Sequence, residues 1–138
     1  MSQLTVDTPR AWVMGDENHA PVAAAISIFE GSGVGKDGSG NARQLVAGDV
    51  FMGFALAKVD NSAGAAGDKQ VRLKHRGRLG SVTVTGLAAT SVGVAVYMSD
   101  GGTFTLTVGA NSKIGVVARI VSATQADVDF DAARPLGA

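Results

Sequence analysis

The chain contains one glycine motif of the kind that binds nucleotide phosphates. Gly33, Gly35 and Gly38 match the spacing G-x-G-x-x-G and follow a predicted strand. This motif binds phosphate where a helix begins directly after the glycines, because the helix N-terminus then faces the anion. Ser39-Gly40-Asn41 follows instead, which is a poor helix start, and Asp37 stands where a Walker A motif needs Ser or Thr. We therefore predict a glycine-rich hairpin loop and no nucleotide cofactor.

Neither of the two histidines lies in a pattern typical of catalysis. The chain has no G-x-S-x-G nucleophile motif. His75 is in phase with the apolar residues of a predicted strand, which favours an inward or interface position over a general base. His19 follows Asp16 and Glu17 in a polar turn, where a solvated turn is favoured over a metal site. The sequence thus predicts no catalytic residues and no metal ligands.

The main charge feature is a pair of stripes of opposite sign. We name them the basic stripe, Arg72, Lys74 and Arg76, on one face of a predicted strand, and the acidic stripe, Asp127, Asp129 and Asp131, on one face of the last predicted strand. Alternate carboxylates on an extended strand lie ~7 Å apart and cannot converge on one calcium ion. Two interpretations stay open: solvated faces with cross-strand ion pairs, or complementary edges of neighbouring subunits.

Composition restricts the classes of partner. The 138 residues carry 12 basic and 12 acidic side chains, so the formal net charge is zero. Proteins that coat nucleic acid usually have an excess of Lys and Arg, and one Trp and one Tyr offer few stacking surfaces. The chain has no cysteine, and no apolar stretch approaches the ~20 residues that span a bilayer. We expect no nucleic-acid partner, no membrane partner and no disulfide.

Alternation of apolar and polar residues predicts an all-β fold from residue 26 onward. About eight short strands separated by turns indicate a small β-sandwich or barrel with at most short helical turns, and Asp100-Gly101 predicts a hairpin. The predicted strands are Ile26–Glu30, Val50–Ala55, Gln70–Arg76, Ser81–Thr85, Val92–Tyr97, Thr103–Val108, Ile114–Val121 and Ala126–Phe130, with helical turns at Val22–Ala25 and Ala88–Val92.

Residues 1–25 differ from the rest and are predicted to form an extended N-terminal arm, followed by a single β-rich domain over residues 26–138. Pro9 and Pro21 leave no room for a long helix in this arm. Two arrangements stay open: the arm packs on its own domain, or it extends to another subunit. Buried aromatic residues dominate interface energies, so the candidate anchors are Trp12, Val13 and Met14.

A series of turn and strand sequences follows in order along most of the chain. The segments are Pro9-Arg10, Gly15–Asn18, Pro21-Val22, Phe29–Gly31, Val34-Gly35, Ala42–Asp49, Phe51–Ala55, Asp60-Asn61, Gly64–Gly67, Val96–Asp100, Thr103–Leu106, Ile114-Gly115 and Val128–Ala132. In this order they resemble the small capsid cement, or decoration, proteins of tailed bacteriophages, a family formerly listed as a domain of unknown function. Gln44 departs from the proline expected there, and residues 133–138 extend past the usual end.

The resemblance implies a structural virion protein that is made in the host cytoplasm and binds the outer surface of the expanded icosahedral head. Such subunits are commonly trimers, and their N-terminal arm commonly contacts the major capsid protein. We expect a homotrimer that bridges capsid subunits and stabilises the shell, with no enzyme activity, cofactor or small-molecule substrate. The expected capsid or subunit interface residues are Arg10, Trp12, Val13, Met14, Arg72, Lys74, Arg76, Asp127, Asp129 and Asp131.

Two other functions remain as alternatives. One is a trimeric head-fibre or tail-associated structural module, which would bind another component of the virion. The less favoured one is a small hydrolase, which would need a pocket with converging titratable groups.

Overall fold

Twelve β-strands account for the regular structure of residues 5–7, 9–11 and 15–132, which the computed structural model describes. The all-β prediction is confirmed, and the turns predicted to be helical are not helices. The strands are β1 (Glu17–Pro21), β2 (Ile26–Ile28), β3 (Gly33–Lys36), β4 (Ala42–Gln44), β5 (Val50–Ala55), β6 (Val59–Asn61), β7 (Gln70–Lys74), β8 (Arg76–Thr85), β9 (Ala95–Asp100), β10 (Thr103–Thr105), β11 (Ser112–Ile120) and β12 (Gln125–Asp131).

The strands form three sheets. A five-stranded open sheet has the order β1-β7-β5-β3-β4, a closed five-stranded barrel has the order β10-β8-β12-β11-β9, and a two-stranded ribbon pairs β2 with β6. Neighbouring strands are antiparallel except β8 and β10, which close the barrel as a parallel pair. Asp100 and Thr103 pair across the predicted hairpin, with Gly101-Gly102 as its loop. The prediction of a small β-sandwich or barrel is therefore confirmed.

Each predicted strand corresponds to an observed one, and four observed strands were not predicted. These four are β1, β3, β4 and β6. β1 lies within the predicted N-terminal arm and pairs with β7 along its whole length, so residues 17–21 pack on their own domain. The strand predicted over residues 70–76 ends at Lys74, and Arg76 begins β8 in the barrel. The expectation that the basic stripe lies on one strand is therefore wrong.

A β-bulge in β5 determines how the open sheet contacts the barrel. The pairing register of β5 with β3 shifts by one residue, which leaves Met52 without an opposite residue. Residues three apart on a regular strand point to opposite faces, whereas the extra residue lets Phe51 and Phe54 enter the same core. Gly53 forms this bulge with a φ of 125°, a value that strongly favours glycine.

Four phenylalanine rings join the open sheet to the barrel. Phe54 of β5 contacts Phe130 of β12 edge to face, with ring centroids 4.8 Å apart, and Phe104 of β10 at 6.0 Å. Phe51 contacts Phe130 at 6.3 Å. This aromatic cluster belongs to a core filled by barrel residues, of which the fully buried ones include Val96, Met98, Ile114, Val117, Ala126 and Val128. The opposite face of the open sheet packs on the ribbon in a second core.

Close packing explains the glycine motif without a nucleotide. β3 and β4 form a hairpin in which the Asp37 carboxylate accepts hydrogen bonds from the backbone N–H groups of its turn, so the hairpin prediction is confirmed. A Cβ at Gly33 would lie 2.6 Å from Sδ of Met98, and one at Gly35 would lie 2.5 Å from the carboxylate of Asp49. The two glycines therefore let the barrel and the β4–β5 loop approach this strand.

Replacing Gly53 with alanine should destabilise the protein by at least about 3 kcal/mol, since φ is positive and the new Cβ would lie 2.5 Å from the backbone oxygen of Lys74. Urea denaturation followed by near-ultraviolet circular dichroism measures this loss. Gly38→Ala is the matched control, because its Cβ would meet no atom within 4 Å, and a change within about 0.5 kcal/mol is expected. Equal losses for the two variants would contradict the role of the bulge.

Candidate interaction surface

The residues that precede Gly15 are exposed on the isolated subunit wherever the structure describes them. Residues 5–7 and 9–11 are all exposed, including Arg10, and Val6 retains 73% of its accessible surface. The candidate anchors Trp12, Val13 and Met14 lie outside the described residues. We call the residues before Gly15 the N-terminal segment, and an exposed apolar side chain such as Val6 marks it as a candidate contact region.

Residues Gly15–Glu17, which we call the root of this segment, are held by the end of β7 and the start of β8. The Asp16 carboxylate lies 2.8 Å from Nζ of Lys74, and a carboxylate oxygen of Glu17 lies 3.2 Å from Nε of Arg72. The hydrogen bond to Lys74 lowers the pKa of Asp16, and the same contact raises the pKa of Lys74. The backbone N–H of His75 donates to the backbone oxygen of Asp16 at 2.9 Å, and the His75 ring Nε2 contacts the backbone oxygen of Gly15.

The outer edge of β1 is poorly suited to accept another strand. The bonds from His75 N–H to the Asp16 oxygen and from Val22 N–H to the Lys69 oxygen bracket the β1–β7 ladder. Backbone groups alternate in direction along a strand, so those of Glu17, His19 and Pro21 face away from β7. His19 N–H donates to the Asn18 side chain at 2.9 Å, and Pro21 has no N–H. Such a blunted edge limits pairing with a further chain.

The acidic stripe lies on the outer face of the barrel, because the alternate residues of β12 enter its core. Asp129 receives two hydrogen bonds from the Arg78 guanidinium, at 2.7 and 3.1 Å, and Asp131 is opposite Arg76 in the β8–β12 register. The stripe is thus matched by arginines of its own chain. This agrees with the first interpretation, of cross-strand ion pairs, while complementary edges between subunits stay a prediction.

Asp127 has a structural task in addition to its ion pair. Both partner strands have a register shift at this residue, and Ser81, on the β8 side, has a φ of 51°. The Asp127 carboxylate accepts hydrogen bonds from Ser81 N–H at 2.8 Å and from Arg119 Nε at 3.0 Å. The Ser81 amide and then the Arg119 guanidinium lower the pKa of Asp127, whose side chain is only 12% exposed. Asp127 therefore stabilises the two bulges, one in the β8–β12 pairing and one in the β11–β12 pairing.

Sequence reasoning missed a small valine patch beside the Arg78–Asp129 ion pair. Val116 lies opposite Asp129 on one side and Ala95 on the other. Hydrogen bonds between Val117 and the backbone of residues 93 and 94 place the preceding turn next to it. The patch, all of it exposed, consists of Val92, Val94 and Val116. The alternating pattern placed Val94 and Val96 on one face, but β9 begins only at Ala95, so Val96 is buried and Val94 is exposed.

Among residues 5–7, 9–11 and 15–132, no three His, Cys, Asp or Glu side chains are grouped as a metal site would need, and no helix is long and apolar enough to span a membrane. A shallow pocket of about 330 Å³ lies in the loop after β6, lined by Asp60, Asn61, Ser62, Ala63, Gly64, Asp68 and Lys69. Asn61 orders this loop, since its amide group donates to the backbone oxygens of Ala23 and Ala65.

Asp127→Asn should lower the free energy of unfolding at pH 7, because Asn keeps an acceptor for Ser81 N–H but loses the charge that attracts Arg119. A lowered pKa stabilises the fold above the ordinary Asp range near 3.9 and stops doing so as the pH falls through the folded value. The difference from wild type should thus be constant above about pH 5 and shrink below it.

Urea titrations between pH 2.5 and pH 7 measure this dependence. Asp129→Asn is the matched control on the same strand, and its loss at pH 7 should be smaller because its side chain is 45% exposed. A difference between wild type and Asp127→Asn that grows toward low pH would be the contrary result.

The candidate surface consists of the exposed residues 5–7 and 9–11 with the charged root, the outer face of the barrel with its arginine–aspartate pairs, and the valine patch. Comparison of the sequence with models of protein families finds no match, and comparison with curated proteins finds none either.

Proposed function

We propose that the protein is a capsid decoration protein, which binds the outside of an expanded icosahedral phage head and bridges major capsid protein subunits. The resemblance of the sequence to cement proteins suggests this role. The all-β architecture is consistent with it. The observation that carries the proposal is the exposure of residues 5–7 and 9–11 next to a root that is fixed to the domain.

The physical basis of stabilisation is differential binding. A ligand shifts a conformational equilibrium only by its preference for one of the two states. Contacts that exist only where capsid subunits meet in the expanded shell therefore favour that shell. An interface of ~1,600 Å², about 57% apolar, contributes on the order of 20 kcal/mol before association costs of similar size.

Assembly as a trimer would raise the affinity without new contacts. One subunit binds weakly when association and ordering costs offset most of the interface energy. Three linked subunits that engage three equivalent sites gain roughly 10²–10⁴ in avidity. The N-terminal segment then serves as the reaching element, and the rigid β-domain sets the spacing between the three sites.

Deleting residues 2–14 should abolish binding to heads and leave a folded protein. The structure places the end of the deletion before the root, so that Asp16 and all of β1 remain in the open sheet. The probe is expanded, DNA-free heads assembled from the major capsid protein encoded with this chain, and co-sedimentation measures the bound fraction. We expect wild type to saturate at a fixed ratio to capsid subunits and the deletion to bind at least about tenfold less.

Two controls make the result interpretable. Removal of residues 133–138 tests whether any terminal truncation has the same effect, and circular dichroism with thermal melting confirms that both truncated proteins fold. Equal retention of wild type and the 2–14 deletion would contradict the role of the segment. No binding of wild type to heads, with binding to fibres or tails instead, would favour the alternative structural module.

A further inference from the structure

We propose that the basic stripe positions the N-terminal segment for docking and does not itself contact the capsid. The structure shows this stripe as a receptor for the root of its own chain. The docking half of this inference rests on the proposed function, whereas the positioning half concerns the free protein alone.

Every residue from Arg72 to Arg76 except Leu73 contributes to holding the root. Arg72 pairs with Glu17, and Lys74 pairs with Asp16. His75 contributes two contacts, one from its backbone N–H and one from its ring. Arg72 and Lys74 are therefore paired with carboxylates of the root, and the His75 ring with a backbone oxygen of the root, within the subunit.

Arg76 completes the receptor from the barrel side. A Cβ at Gly15 would lie 2.8 Å from Nη2 of Arg76 and 3.2 Å from its Cζ, so the guanidinium lies directly over the glycine. Its charge also contributes to the lowered pKa of Asp16. Because Lys74 ends β7 and Arg76 begins β8, the root spans the junction between the open sheet and the barrel.

A root fixed at this junction sets the direction in which the segment leaves the domain. Fixing the direction of the segment before docking lowers the entropy lost on docking, which is the general advantage of a preorganised ligand. The half-exposed ion pairs are individually weak. Their combination with the His75 contacts and the covering guanidinium places the restraint on backbone atoms of the root as well as on its carboxylates.

The test uses a nitroxide probe near the root together with head binding. The chain has no cysteine, so Ala11→Cys labels a single described site. Lys74→Met should increase the mobility of the label in the electron paramagnetic resonance spectrum and weaken binding to expanded heads by about threefold to tenfold. Lys74→Arg should restore both values, and Lys36→Met, on an exposed lysine of the same sheet, should change neither.

His75→Ala is the second variant and should also mobilise the label, and equal melting temperatures exclude a general loss of structure. Unchanged label mobility in both variants would overturn the positioning role. Increased mobility with unchanged head binding, while the 2–14 deletion abolishes it, would overturn the docking half. Failure of wild type to bind heads would end the docking half together with the proposed function, and the spectra would still decide the positioning half.

Discussion

The contact between the open sheet and the barrel depends on the bulge that brings two phenylalanines of β5 to one side. Without an extra residue at Met52, Phe51 and Phe54 would point to opposite faces, and one ring would leave the core that contains Phe130. The edge-to-face geometry of these rings gives the contact a defined orientation as well as buried area. The open sheet and the barrel thus share one core.

The charged surface follows from the same architecture. β7 leaves the open sheet and β8 enters the barrel with only His75 between them, so one basic stretch serves two sheets. Arg72 and Lys74 pair with the carboxylates of the root, the Arg76 guanidinium lies against Gly15, and Arg78 pairs with Asp129 of the acidic stripe. Cross-strand pairs such as Arg72 with Glu17 and Arg78 with Asp129 place opposite charges side by side on the described surface.

The sequence predicted those strands that are covered on one face only, because their residues alternate between apolar and polar. Val71 and Leu73 alternate with Arg72 and Lys74, because β7 is covered on one face only. The missed β3 is buried on both faces, since Met98 and Asp49 cover Gly33 and Gly35 and Val34 lies in the second core, so period-2 alternation is absent. β1 was missed for a different reason: four of its five residues are exposed and it ends at Pro21, so it shows no apolar face.

The candidate surface was predicted only in part, for a similar reason. The two charge stripes are local patterns and can be read from the chain. The ion-pair partners of the stripes cannot be read from local patterns, because Asp129 and Arg78 are 51 positions apart and meet only through the barrel register. The bulges at Asp127 shift that register by one residue, and no local pattern marks them. Arg76 was predicted to lie on the same strand as Arg72, because no local pattern shows that β7 ends at Lys74 and that Arg76 begins β8.

Closure of the barrel relies on a short seam. β8 and β10 pair over two positions, Phe104 with Val84 and Thr105 with Thr85, in the slightly less stable parallel arrangement. Transient breathing at this seam would separate β10 from β8 while the long β8–β12 and β11–β12 ladders stay intact. Amide hydrogen exchange in β10 should then be faster than in β12, and each opening would expose more of the partly buried Phe104. The barrel is consequently a closed sheet in which the short β8–β10 pairing is the weakest junction, and this junction lies next to the Phe54–Phe104 ring contact.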